Sequence, residues 1–254
     1  GRGFWILDNI QPLRQFKGEM TNQSAIIFKP ADAIRGVYDA DIQYYLNKQT
    51  DSITFEILDS NDNVVSTHTG DKPKYEIDPN IPWWRRGGST KPTTAKGMNN
   101  FSWDLRYPGA TTFDGMIIWS AQPERGPKAP IGDYKVRIIA GDYNETHDFK
   151  IKMNPNLKGI TEADLQEQFM LASKITNKTS IANETVIKIR DIKSRLKAAK
   201  NKISTSSYKT IVNPFLVKIS AIEEDLYQVK NQSGQDPLNF PIKLNNRLAS
   251  LRRS

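Results

Sequence analysis

The stretch Asn99-Asn100-Phe101-Ser102-Trp103-Asp104-Leu105-Arg106-Tyr107-Pro108, with its counterpart Ala129-Pro130-Ile131-Gly132-Asp133-Tyr134-Lys135-Val136-Arg137-Ile138-Ile139, decides how the front half of the chain folds. Phe101, Trp103 and Leu105 alternate with Ser102, Asp104 and Arg106, the period of two that marks a strand with one face buried. Tyr134, Val136 and Ile138 repeat the alternation after a Pro-Ile-Gly-Asp turn. In such a turn Pro presets φ and Gly takes a left-handed conformation at little cost. Two half-buried strands joined by a long loop describe a β-sandwich. They carry no catalytic signature.

Working outward, Ser52-Ile53-Thr54-Phe55-Glu56-Ile57-Leu58 alternates in the same way and is followed by Asp59-Ser60-Asn61-Asp62-Asn63, then Val64-Val65-Ser66-Thr67-His68. That is a hairpin signal, because Asn and Asp tolerate left-handed φ and close Asx turns. Asp59, Asn61 and Asn63 also match the first three ligands of an EF-hand loop. Val64 stands where the loop needs Gly, however, and Gly70 where it needs a bidentate Glu, so the turn reading is preferred. Ala25-Ile26-Ile27-Phe28 and Tyr44-Tyr45-Leu46 are further strand candidates. Met116-Ile117-Ile118-Trp119 is read as another strand of the same sheet system.

Past Asn154-Pro155-Asn156 the period changes from 2 to about 3.5. Thr161-Glu162-Ala163-Asp164 is an N-cap with an acidic third residue. Leu171, Ile175, Ala182, Ile189, Ile192, Leu196, Ala199 and Ile203 form the inward stripe of a long helix or helix pair. Asn213 and Pro214 are expected to cap and open the next helix, with a seam of Phe215, Ile219, Ile222, Leu226 and Val229. A third helix is expected from Pro241, with Leu244, Leu248 and Leu251 inward. The fold class is therefore multidomain β + α. Residues 30–154 form an Ig/fibronectin-III-like β-sandwich, residues 156–254 an antiparallel three-helix bundle or helical hairpin, and residues 1–29 a preceding tail.

Composition narrows the functional classes. The chain has 254 residues and no cysteine, which removes disulfides and thiolate metal sites. Its net charge of +8 is uneven: residues 1–149 carry 17 Lys/Arg against 19 Asp/Glu, and residues 150–254 carry 19 against 9. Lys188, Arg190, Lys193, Arg195, Lys197, Lys200 and Lys202 fall off the apolar stripe with few aromatics or glycines among them, so a solvated helical face is expected rather than a nucleic-acid module. No apolar run approaches the ~20 residues of a membrane span, so no membrane partner is expected.

Candidate chemistry is sparse. His68 and His147 stand beside strand ends without metal-site spacing, and no nucleophile elbow, phosphate loop or dinucleotide fingerprint occurs. Asp104 and Asp133 are the best-placed carboxylates, read as a strand-surface and a turn residue. No catalytic residue, metal or cofactor is expected. The candidate ligand-binding residues are Trp83, Trp84, Arg85 and Arg86, in the long Pro/Gly/Thr-rich connection from Gly70 to Gly97. Two adjacent rings could form a platform for a glycan, with the Arg pair reading hydroxyls or carboxylates. The competing role is to cover apolar surface at the end of the sandwich, and it is preferred. Six Asn-x-Ser/Thr sequons, including Asn100 and Asn183, carry no weight because such matches arise readily by chance.

Several of these stretches together resemble the C-terminal region of large bacterial secreted proteins with a sortilin-like β-propeller, often labelled glycosyl hydrolase or sialidase-like proteins with Asp-box repeats. The residues that carry the resemblance are Gly1-Arg2-Gly3-Phe4-Trp5-Ile6-Leu7-Asp8, similar to the last propeller strand and exit, then Asn99 to Gly109, and Gly126-Pro127 to Gly132-Asp133-Tyr134. Asp164 to Phe169, Ile189-Arg190 and Pro237 to Leu251 continue it through the helices. The sandwich alone also resembles the Ig-like domain of flagellar hook-capping proteins, through the shared Pro-x-Gly-x-Tyr element. The propeller resemblance implies an extracytoplasmic accessory region without catalysis, whose partner is the protein's own N-terminal propeller. Any hydrolase chemistry would belong to that propeller. An apolar patch at Phe4 and Trp5, uncovered without the propeller, would let the chain dimerise.

Overall fold

A computed structural model describes residues 3, 9–71, 91–200 and 204–253. Phe4, Trp5 and the Trp83 to Arg86 motif lie outside the described residues. The chain is mixed β and α and divides into two units, Gly1–Arg106 with Ala129–Gln166, and Tyr107–Lys128 with Glu167–Ser254.

In the first unit a short helix α1 (Gln11–Gln15) leads into β1 (Ala25–Ile27), β2 (Ala33–Ile34), β3 (Ala40–Leu46), β4 (Ser52–Leu58), β5 (Val64–Asp71) and β6 (Gly97–Trp103). β9 (Gly132–Ala140) and β10 (Tyr143–Lys152) complete its sheets, while β7 (Arg106–Pro108) and β8 (Arg125–Lys128) pair as a separate ribbon that falls, apart from Arg106, in the second unit. One sheet has the order β1-β3-β6, all antiparallel. The other has the order β2-β10-β9-β4-β5, with β2 parallel to β10 and the rest antiparallel.

The two sheets meet through aromatic side chains that the alternation predicts. The Tyr44 ring on β3 lies 5.0 Å from Phe55 on β4, which stacks 5.3 Å from Phe101 on β6. Trp103 lies 5.9 Å from Tyr134 and 6.3 Å from Phe149. Phe101, Trp103, Leu105, Tyr134, Val136 and Ile138 are all buried, as the sequence pattern requires. Buried rings of this size supply much of a core's hydrophobic stabilisation.

The Trp-Asp-Leu-Arg element has a backbone reason. Leu105 is buried at φ 56°, a left-handed conformation that costs a non-glycine residue on the order of 1 kcal/mol. Two hydrogen bonds hold it there. The Trp103 indole donates to the Arg106 carbonyl at 3.0 Å, and the Ala129 N–H to the Leu105 carbonyl at 2.7 Å.

The β4–β5 hairpin turns as expected. Asp59 Oδ1 accepts the N–H of Asn61 at 2.8 Å and of Asn63 at 2.9 Å, and Asp62 takes φ 64°. Asp59 therefore spends its carboxylate on closing the turn, which holds its pKa below the usual value, chiefly through the Asn63 side-chain amide.

α2 (Glu162–Ala198) is one helix of 37 residues, about 55 Å long at 1.5 Å per residue. Its capping box is present: Thr161 Oγ1 accepts the Asp164 N–H at 3.2 Å, and Asp164 Oδ2 accepts the Thr161 N–H at 2.7 Å.

The second unit departs from the sequence reading in several places. Leu171, placed inward by its spacing, is 59% exposed, and the buried face runs through Ile175, Thr179, Ala182, Asn183, Val186 and Ile189. The next helix does not open at Asn213. It opens at Ser204, whose Oγ accepts the Ser207 N–H at 3.1 Å, and continues as α3 (Thr205–Ser207), a π-turn (Tyr208–Val212) and α4 (Asn213–Leu226). Pro214 has no N–H to donate, and its ring crowds the preceding turn; the widened π-turn absorbs both problems within a continuing helix.

The expected seam of α4 is also rotated. Phe215 is 43% and Ile222 49% exposed, whereas Val212, Ile219, Glu223 and the following Tyr227 are buried. α5 (Leu244–Arg253) exposes Leu244 and Leu251 and buries Asn245, Asn246 and Ala249. Met116 to Trp119 form no strand; they belong to an irregular segment of the second unit, between a turn at Asp114-Gly115 and a bend at Trp119-Ser120.

Candidate functional site

The carboxylates and histidines singled out in the sequence are used by the sheets. Asp133, on β9, accepts from Lys150 on the neighbouring β10 at 2.6 Å. Asp104 lies 3.6 Å from Arg106. His147 Nε2 lies 3.0 Å from Glu145 Oε1, and Glu145 also accepts from the Tyr143 hydroxyl, which in turn accepts the Ile27 N–H at 3.2 Å. His68 lies within β5 rather than beside its end, its ring 4.9 Å from Phe101 and its Nε2 3.1 Å from Ser66 Oγ. Burial pushes the His68 pKa below its ordinary value, against the opposing pull of the Asp104 charge. Tyr44 is handled the same way: burial lifts its phenol to about 12 while the hydroxyl bridges the N–H and carbonyl of Thr93 at 2.8 and 2.7 Å. Of these contacts, Asp133–Lys150 and Tyr143–Ile27 reach from one strand to another, and the His68–Ser66 and His147–Glu145 contacts lie within one strand.

Open depressions among the described residues of the first unit include two without catalytic character. The larger, about 510 Å³, lies beside Ser24, Lys48, Gln49, Asp51 and Asp142 and has no aromatic lining. The smaller, about 220 Å³, lies beside Asp133, Lys150 and Lys152, the last of which pairs with Asp32 at 2.7 Å. Neither brings together a nucleophile, a base and an oxyanion donor. Among the described residues no group of three or more His, Asp or Glu could hold a metal ion.

The polar chemistry is concentrated in the second unit. Glu223 is buried on α4, and both of its oxygens are taken by α2: Arg190 Nε donates at 2.8 Å and Lys193 Nζ at 2.6 Å. Burial pushes the Glu223 pKa up, but the two cationic donors outweigh this and hold it below its usual value. The expectation that Arg190 and Lys193 belong to a solvated face is thus corrected. They lean onto Glu223, while Lys188, Lys197 and Lys200 of the same run do lie exposed.

Nearby, Asn183 Nδ2 donates to the Thr111 carbonyl at 2.7 Å and its Oδ1 accepts from Asn245 at 2.9 Å. Asn246 accepts the Trp119 N–H at 2.7 Å and donates to the Trp119 carbonyl at 3.0 Å. None of these residues was a candidate in the sequence reading, where Asn183 figured only as a sequon. The available signal was a Glu between Ile219 and Leu226 and an Asn beside Ala182, polar residues inside an apolar stripe.

No family model and no curated protein matches this sequence. Among solved structures, the chain is similar to CopC from Methylosinus trichosporium OB3b at 12% identity, over 52% of this chain and 98% of that one, with a TM-score of 0.27.

Proposed function

We propose that this chain is a non-catalytic accessory region of a secreted bacterial protein with a sortilin-like β-propeller, packing against or positioning that propeller. In this reading the first unit is an Ig/fibronectin-III-like sandwich and the second a helical bundle. The observation that supports it most is how the polar side chains are used. Asp104, Asp133, His68 and His147 all engage neighbouring strand residues, and the buried polar groups of the helices hold other protein groups. A scaffold spends its polar groups this way, whereas a hydrolase aims a pair of carboxylates into a substrate cleft.

No described helix is long and apolar enough to cross a membrane. The test is hydrolysis of a panel of aryl glycosides by the purified chain. The reading predicts no turnover above buffer. Turnover that falls when Asp104 or Asp133 is changed to Asn, with the fold retained, would overturn it.

A further inference from the structure

The segment from Ala110 to Gln122, which runs between β7 and β8, is held in an unusual way. None of its side chains from Thr111 to Gln122 is buried. Its main chain is gripped instead, by side chains that come from the helices. The Thr111 N–H donates to Ser180 Oγ at 3.0 Å, and the Thr111 carbonyl accepts from Asn183 at 2.7 Å. The Ile117 N–H donates to the Tyr227 hydroxyl at 3.1 Å. Asn246 reads both the N–H and the carbonyl of Trp119, and Arg252 donates to the Gln122 carbonyl at 2.7 Å.

The gripping residues are themselves fixed. Asn183 is 0% exposed, Asn246 4% and Tyr227 3%, and Asn245 donates to Asn183 so that its amide points one way.

One side chain of the segment is read as well. The Phe113 ring packs edge-on against Tyr227 at 5.1 Å, and the Arg190 guanidinium lies 4.7 Å over it, held by Glu223. Thr111 adds a hydroxyl contact to Glu184 at 2.9 Å on the exposed rim. Side-chain amides clamping the main chain, with one aromatic pocket between them, suit a bound peptide segment, and here that segment is bent: the Met116 N–H donates to the Phe113 carbonyl at 3.1 Å, and Gly115 and Ser120 take φ 71° and 52°. Main-chain hydrogen bonds give affinity, and the pocket gives specificity. Buried Asn and Tyr groups of this kind are costly to leave unpaired, so the cleft favours being filled.

We propose that the helical unit is a docking cleft for a bent peptide bearing an aromatic side chain between two main-chain clamps, and that the strap Ala110–Gln122, which turns at Phe113–Met116, is its resident occupant. The cleft is a property of α2, α4, α5 and Tyr227, independent of what a neighbouring propeller does. The exposed side chains Thr112 and Asp114 are then replaceable, whereas Phe113 and the clamping amides are not.

The test uses the full chain with residues 111–122 replaced by a Gly/Ser segment of equal length, and a fluorescein-labelled synthetic peptide covering 109–124. Saturable binding to this chain is expected, with at least tenfold weaker binding to the unaltered chain, whose cleft is filled. A Phe113→Ala peptide should bind at least tenfold more weakly, and a Thr112→Ala, Asp114→Ala peptide within about threefold of the parent. Absence of saturable binding by a replaced chain that still melts cooperatively overturns the proposal. Equal losses from the two peptide variants overturn it too. Should the replaced chain fail to fold, hydrogen exchange on Asn246→Leu in the otherwise intact chain decides. The Trp119 amide should exchange at least tenfold faster with β4 and β9 amides unchanged, and an unchanged Trp119 amide refutes the cleft.

Discussion

Changing Glu223 to Gln keeps the shape of the side chain and one acceptor oxygen, and removes the charge. In the native unit both carboxylate oxygens accept from cations, Arg190 at 2.8 Å and Lys193 at 2.6 Å. A charge-assisted hydrogen bond contributes about 1.5–3 kcal/mol, and one of the two is lost outright in the variant. Breaking a fully buried ion pair costs about 3–5 kcal/mol, but here the partners remain partly in water: the Glu223 side chain is 6% exposed, Arg190 40% and Lys193 29%. The released cations can turn to solvent, so the expected loss is about 2 kcal/mol at pH 7. With a urea m-value of roughly 1–3 kcal/mol/M, that moves the midpoint of the helical transition down by about 1 M.

The pH dependence is the sharper test. The carboxyl has a folded pKa held below its unfolded value, so its stabilisation is complete above the unfolded pKa and is lost as pH falls through the folded one. Urea melts of the native chain and the variant, followed by far-UV circular dichroism from pH 7 to pH 3, should converge in the acid range. A difference that stays constant with pH, or is below about 0.5 kcal/mol at pH 7, would show that the ion pair is not what holds α2 to α4.

Four further outcomes are expected. Gly126→Ala places a Cβ 1.9 Å from the Tyr107 carbonyl oxygen, so the β7–β8 ribbon must part, and thermal melting should show a loss of several °C in the helical unit. Asp59→Ala removes the acceptor of two turn N–H groups and should cost about 1 kcal/mol in urea unfolding of the β-sheet unit, with no change in the helices. Burial holds the His68 pKa below its ordinary value, so the β-sheet unit should lose stability as pH falls below the ordinary histidine pKa; His68→Phe should abolish that component in a pH series of melts. Trp103→Ala empties a fully buried site and frees the Arg106 carbonyl, for an expected loss of about 3–5 kcal/mol by urea titration.

Strand faces were legible because alternation is a local property. The burial of Phe101, Trp103, Tyr134 and Val136 follows from their spacing alone, and the Asp59 turn and the Thr161 cap are likewise written in adjacent residues. The helical unit was harder for a physical reason. α4 carries apolar residues on two stripes, and which one turns inward is decided by a buried Glu223 whose partners lie some thirty positions earlier. Met116 to Trp119 has the composition of a strand, yet its main-chain groups are taken by side chains of Tyr227 and Asn246, which no local pattern announces. The π-turn before Pro214 is a similar case, since a proline at that spacing ordinarily signals a helix start. Trp83, Trp84, Arg85 and Arg86, the only residues that sequence reading offered as a binding loop, lie outside the described residues.

The proposed accessory role is tested most directly by whether this chain binds a sortilin-like propeller of the kind its sequence resemblance implies. Calorimetric titration of the purified chain with that propeller, expressed separately, at moderate salt and at several temperatures, measures both affinity and heat-capacity change. Tight binding with a negative heat-capacity change, the mark of apolar docking, is the predicted result. No detectable binding at high protein concentration would contradict the account and leave the two units as a freely tethered module.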